Sequence, residues 1–110
     1  HESAGHTADA VSDYTKAIEI APHLVQALYR LARLNVKLHN RQSAIGYYEN
    51  ILRVAPREYG AHFELGSLYL SGSEFPQAVE HLRKALEIRP DALEARRRLE
   101  IAEQETKQQN

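Results

Sequence analysis

The feature that most constrains this chain is a repeat with a period of 34 residues. Ala10, Tyr14, Ala17, Ile18, Ile20 and Pro22 are matched 34 positions on by Ala44, Tyr48, Ile51, Leu52, Val54 and Pro56, and again by Ala78, Leu82, Ala85, Leu86, Ile88 and Pro90. The three- and four-residue spacing inside each copy is one face of an α-helix. Proline closes each copy, because it lacks a backbone N–H and restricts the residue before it. A fixed period of this length marks an array of helical units. A chain of 110 residues has little room for a large isolated core, and stacking lets each unit bury its apolar face on a neighbour instead.

The same periodicity places the helices. Residues 1–6 carry no pattern and read as a lead-in. A first helix is expected from Thr7 to Ala21, and a second from Leu24 to Leu38, with Leu24, Ala27, Leu28, Leu31, Ala32, Leu34 and Leu38 as a broad apolar face. The next spans Ser43 to Val54. A further pair begins at Glu58, turns at Ser71-Gly72-Ser73-Glu74, and resumes at Phe75 with Pro76 in the first helical turn, where its missing N–H has no partner to lose. Asp91 and Glu94 have the spacing of a capping box, which predicts a terminal helix over 91–107. This helix is strongly charged, as the outer end of a solenoid must be to stay in water. The expected organisation is a single domain over 7–107: a partial unit 7–24, full units 25–58 and 59–92, a capping helix 91–107 and a tail 108–110. The fold class is all-α, a right-handed superhelical solenoid of antiparallel helix pairs.

Leu28, Leu31, Ala32, Ala44, Tyr48, Ile51 and Pro56 in one unit, and Leu65-Gly66, Tyr69, Ala78, Leu82, Ala85 and Pro90 in the next, resemble the signature of the tetratricopeptide repeat family. The resemblance runs from Ala10 to Ile101. It implies that small residues (Ala32, Ala44, Gly66, Ala78, Ala85) sit at close helix approaches and that large ones (Leu31, Tyr48, Leu65, Leu82) fill the space between. Departures from the signature are Leu28, His62 and Arg96 in place of an aromatic, and Asn35 in place of a tyrosine.

Composition bounds the function. Fourteen Lys+Arg against fifteen Asp+Glu give a net charge of −1, which points away from nucleic acid or an anionic membrane as partner. There is no cysteine, so thiol catalysis and cysteine-ligated zinc are excluded. No apolar run reaches the length of a membrane span. The chain has no Met and starts at His1 in mid-pattern, which suggests a piece of a longer protein; of the compartments, the cytoplasm is favoured. The six histidines, His1, His6, His23, His39, His62 and His81, lack ligand spacing and read as scattered surface residues, with His62 set apart by its place on the first helix of a unit near the groove or packing seam, so no metal or cofactor is expected. Ser43, Ser67, Ser71 and Ser73 lack a triad, and the glycines form no phosphate loop, so the chain is not read as an enzyme. Arg96-Arg97-Arg98 lies among Glu94, Glu100 and Glu103 and reads as a solvated face.

The resemblance implies a concave groove lined by the first helix of each pair, and so an interaction scaffold that binds a peptide segment. Its residues here would be Gln26, Tyr29, Arg30, Arg33, Lys37, Phe63, Ser67, Leu70, Glu94, Arg97, Arg98 and Ile101. Tyr29 and Phe63, one period apart, would stack beside Arg33 and Arg97; aromatics and arginine are the residue types enriched at binding hot spots, and the other reading is that both rings are partly buried against the neighbouring unit's helix while Arg33 covers apolar surface with its stem. An acidic or mixed-charge protein partner follows from the cations. The family's clamp for chaperone tails is not preserved at Tyr29, Arg33, Gly60, Glu64, Glu94 and Arg98. Two alternatives stand beside the groove: a homodimer through an uncovered face at Val11, Tyr14 and Ile18, or a regulatory segment of a larger assembly.

Overall fold

The computed structural model describes residues 23–109, and among them all regular structure is helical. The helices are α1 (His23–Lys37), α2 (Arg41–Val54), α3 (Tyr59–Ser71), α4 (Phe75–Ile88) and α5 (Leu93–Gln109). Consecutive helices pack on one another, and α3 also touches α5. The result is a solenoid of two helix pairs and a closing helix, with α1, α3 and α5 in one layer and α2 and α4 in the other. The partial unit 7–24, apart from the start of α1, lies outside the described residues, as do the lead-in, His1, His6 and the face at Val11, Tyr14 and Ile18.

Prolines end α2 and α4 as the sequence predicts. The last helical carbonyls are taken up by the residue just before each proline, Ala55 N–H donating to Ile51 and Arg89 N–H to Ala85. The turns inside the two pairs are copies of each other down to their hydrogen bonds. His39 N–H donates to Val36 O and Asn40 N–H to Asn35 O; one period later Ser73 donates to Leu70 O and Glu74 to Tyr69 O. This crossed pattern is a Schellman cap, and its left-handed position falls on His39 (φ 62°) and Ser73 (φ 61°), where glycine is usual. Gly72 keeps an ordinary φ of −93°. It is small for another reason: a Cβ there would collide with the Arg41 guanidinium, which donates to Leu68 O at 3.3 Å and to Glu74 at 2.9 Å and so ties α2 to the following pair.

Two apolar clusters form in sequence along the array. The first joins Leu28, Tyr29 and Ala32 of α1 to Ile45, Tyr48 and Ile51 of α2 and to Ala61 and Leu65 of α3. The second joins Ala78 and Leu82 of α4 to Ala102 of α5, with Phe63, Tyr69, Leu70, Val79 and Leu99 around them. Gly66 lets α3 and α4 approach, since a Cβ on it would stand 2.6 Å from Leu82 Cγ.

Two expectations are corrected. Leu31 does not fill a helix junction: it is 41% exposed, whereas its repeat equivalent Leu65 is fully buried. Leu65 belongs to the cluster that α2 builds on α3; no described helix precedes α1 to do the same for Leu31. The capping box at Asp91 also does not form. Ala92 N–H turns back to Arg89 O, so α5 starts at Leu93, and the Glu94 carboxylate reaches forward to Arg98 at 3.1 Å rather than back to Asp91.

Candidate interaction face

The inner layer carries the residues expected to bind. On α1, Arg30, Arg33 and Lys37 follow at three- and four-residue intervals and share one side of the helix. Gln26, Tyr29, Arg30 and Arg33, with Val25, Ala55 and Glu58, line a cavity of about 610 Å3. Arg30, Arg33 and Lys37, with Leu34, Val36, Tyr48 and Glu64, line a second of about 480 Å3. These volumes fall within the roughly 300–1,000 Å3 usual for ligand sites. None of the three cations has a carboxylate partner among the described residues.

Tyr29 is the floor of the first cavity rather than an open contact. It is buried, packs edge-on against Tyr48 at 6.1 Å, and donates its hydroxyl to Glu58 at 3.2 Å. Gly60 makes room for it: a Cβ there would lie 2.6 Å from the Tyr29 oxygen. Burial, reinforced by the Glu58 carboxylate, pushes the Tyr29 hydroxyl well above its ordinary range, so it stays a protonated donor. Burial also raises Tyr48, to about 12, with Glu64 adding to the effect. The Arg33 guanidinium lies over the Tyr29 ring at 5.3 Å, a cation–π geometry that holds its charge at the rim.

The remaining expected residues fall into separate places. Phe63 does not stack on Tyr29; it stacks on Tyr59 at 5.8 Å, and the cation over it is Arg98, at 5.0 Å, not Arg97. One period of translation along a solenoid separates equivalent rings by a helix, and each finds a nearer partner in its own unit. Ser67 donates to Phe63 O and accepts from Arg98 at 2.6 Å. Leu70 packs against the α4/α5 cluster. Arg97 and Ile101 line a third cavity of about 560 Å3 with Glu100, Gln104 and Glu105. The arginine triplet is engaged within the chain: Arg96 donates to Pro90 O, while Arg97 and Arg98 face Glu94. The expected surface therefore comes together at α1 and divides towards α5.

The contact between His62 and His81 could not be read from the sequence. His62 is not on the surface: it is 5% exposed, with Nε2 2.8 Å from Pro56 O and Nδ1 3.2 Å from His81 Nδ1. A neutral His62 donates through Nε2 to the carbonyl, so its Nδ1 accepts from His81 Nδ1–H. The clue was its place at a signature position that other members fill with an aromatic; its partner, nineteen residues along the chain, is found only once α3 and α4 pair.

Burial lowers the pKa of His81, and His62 beside it adds to this, against opposing pulls from Glu80 and Glu49; Tyr69 stacks on its ring and Lys84 stands nearby. With the folded pKa below the unfolded value near 6.5, the unfolded chain takes up the proton first. The stabilisation from neutral His81 is thus present above pH 6.5 and lost as the pH falls below it. Melting temperature should drop between pH 7 and 5, and His81→Gln should flatten that drop; parallel curves for the two proteins would refute the assignment.

Comparison with known proteins places these features in context. The tetratricopeptide repeat family profile matches residues 29–93. The chain is similar to sperm-associated antigen 1 of Rattus norvegicus, 30% identical over 104 residues, which are 94% of this chain and 12% of that protein. The Mus musculus counterpart is 28% identical over 94% of this chain and 11% of that protein. The chain thus spans about an eighth of these relatives. Among solved structures, the MamA protein superposes with a TM-score of 0.72 at 23% identity, covering 89% of this chain and 54% of MamA. MamA 41-end from Desulfovibrio magneticus RS-1 gives 0.60 at 19% identity, covering 94% of this chain and 64% of the other. At these identities the MamA likeness is one of fold.

Proposed function

The chain belongs to the tetratricopeptide repeat family, and from that premise we propose that it is a non-catalytic interaction scaffold whose inner face at α1 binds a peptide segment of a partner protein. The family's fold typically serves as a scaffold for protein partners. The observation that carries the more specific reading is the row Arg30, Arg33 and Lys37, of which the two arginines line both cavities and Lys37 the second, with no carboxylate partner among the described residues. Three cations at a partly apolar cleft, Arg33 among them held over the Tyr29 ring, favour a ligand with carboxylates. Glu58 in the first cavity and Glu64 in the second limit where those carboxylates can sit.

The test is a random peptide library displayed on phage and selected on this chain. Selected peptides should bind Arg30→Glu/Arg33→Glu at least about tenfold more weakly, a difference of ~1.4 kcal/mol. Both positions are exposed, so the helical circular dichroism of the variant should match that of the parent. Peptides that bind the two proteins equally would move the site off α1.

A further inference from the structure

The second cavity has an apolar wall beneath a charged rim. Leu34 and Val36 are 49% and 39% exposed, and with Tyr48 they form the apolar part of the cleft that Arg30, Arg33, Lys37 and Glu64 surround. The repeat supplies an internal control for what the fold itself demands. One period on, Leu34 and Val36 become Leu68 and Leu70, and both are packed against the core clusters. Over the same step Arg30, Arg33 and Lys37 become Glu64, Ser67 and Ser71. Packing a helix at this place in the array therefore does not require the cations; Leu68 is covered by the pair before it, whereas no described helix precedes α1 to cover Leu34 in the same way.

We propose that this cleft is an anchor subsite: it takes one apolar side chain of the partner segment while carboxylates on the flanking residues pair with Arg30, Arg33 and Lys37. The proposal rests on the interaction-face reading and specifies its ligand. An aliphatic or aromatic anchor covers Leu34 and Val36, removing apolar surface from water in proportion to the area covered. It also excludes water from the rim, which strengthens the flanking ion pairs. Arg33 is already held over the Tyr29 ring at 5.3 Å, so less freedom is lost when it pairs. Glu64, at the cleft, repels a carboxylate placed inside it, so the anchor itself is apolar and the acidic residues lie to its sides. Charge complementarity selects an acidic segment over a basic one, and the exposed apolar surface of Leu34 and Val36 selects an anchored segment over a merely charged one.

The experiment uses three fluorescein-labelled Gly-Ser peptides: one bearing Glu-Asp-Leu-Asp-Glu, one with Ala in place of the Leu, and one with Lys in place of the four acidic residues. Each is titrated with the chain and followed by anisotropy. The Leu peptide should bind, the Ala peptide at least about tenfold more weakly, and the Lys peptide not at all. Leu34→Glu, and independently Val36→Glu, should erase the preference for Leu over Ala, while Leu93→Glu, at a 67% exposed site on α5, should leave it intact. Equal binding of the Leu and Ala peptides, or a preference that survives both cleft variants, would overturn the subsite. If library-selected peptides still bind and still depend on Arg30 and Arg33, the interaction face stands without it. If no peptide of either kind binds, both readings fall.

Discussion

Replacing Leu82 by alanine is expected to destabilise the chain by about 2–5 kcal/mol, the range for a fully buried leucine whose cavity cannot close. Leu82 has no exposed surface, contacts the second core cluster, and stands against Gly66 at the closest approach of α3 and α4. A domain of this size has only ~5–15 kcal/mol in all, so one side chain decides whether the second pair holds. Because the units are coupled mainly to their neighbours, the loss should fall first on α4 and α5. Urea unfolding followed by circular dichroism reads this directly. An unchanged midpoint would show that the α3/α4 junction collapses around the gap.

At the same contact, Gly66→Ala should cost about 1–3 kcal/mol by overpacking, although alanine is the better helix former by ~1 kcal/mol. Sterics win because the new methyl would meet Leu82 Cγ at 2.6 Å, Cδ2 at 2.9 Å and the Leu82 backbone nitrogen at 3.3 Å, atoms close to the main chain that cannot swing aside. Gly46 is the contrasting site: apart from its chain neighbours and its own helix backbone, nothing lies within 4 Å of its added Cβ, so there the propensity gain should appear unopposed. In the Leu82→Ala background the two side-chain clashes are gone and only the 3.3 Å contact with the backbone nitrogen remains, so the cost of Gly66→Ala should shrink. Additive losses in the double variant would mean that the two residues do not share the contact.

The fold was legible because its signals are local. Pro22, Pro56 and Pro90 punctuate the chain, and the small and large positions at 44, 48, 78 and 82 each fix which face of their own helix turns inward. Ala44, Tyr48, Ala78 and Leu82 are all buried. The end of the array was less legible. Asp91 and Glu94 had capping spacing, but the turn from Ala92 to Arg89 consumed the residues that the cap needed. Leu31 matched its signature position, and signature alone cannot say whether a neighbouring helix covers it.

The interaction face was legible only as a set of candidates. Arg30, Arg33 and Lys37 share a helix face by spacing, so their grouping could be read directly. The roles of Tyr29 and Phe63 could not, because ring packing depends on which neighbours come within a few ångströms: Glu58 and Tyr48 for one, Tyr59 and Arg98 for the other.

The sequence by itself determined the helices, their pairing and the 34-residue repeat, since hydrogen bonds and periodicity within one helix involve residues three or four apart. The tertiary structure decided what separate helices share: the contact between His62 and His81, the seat of Tyr29 on Gly60 and Glu58, and the cleft of Leu34, Val36 and Tyr48 beneath three cations. Each of these turns on distances between helices of a few ångströms, set by how closely small residues let the backbones approach, and no spacing along one helix encodes that.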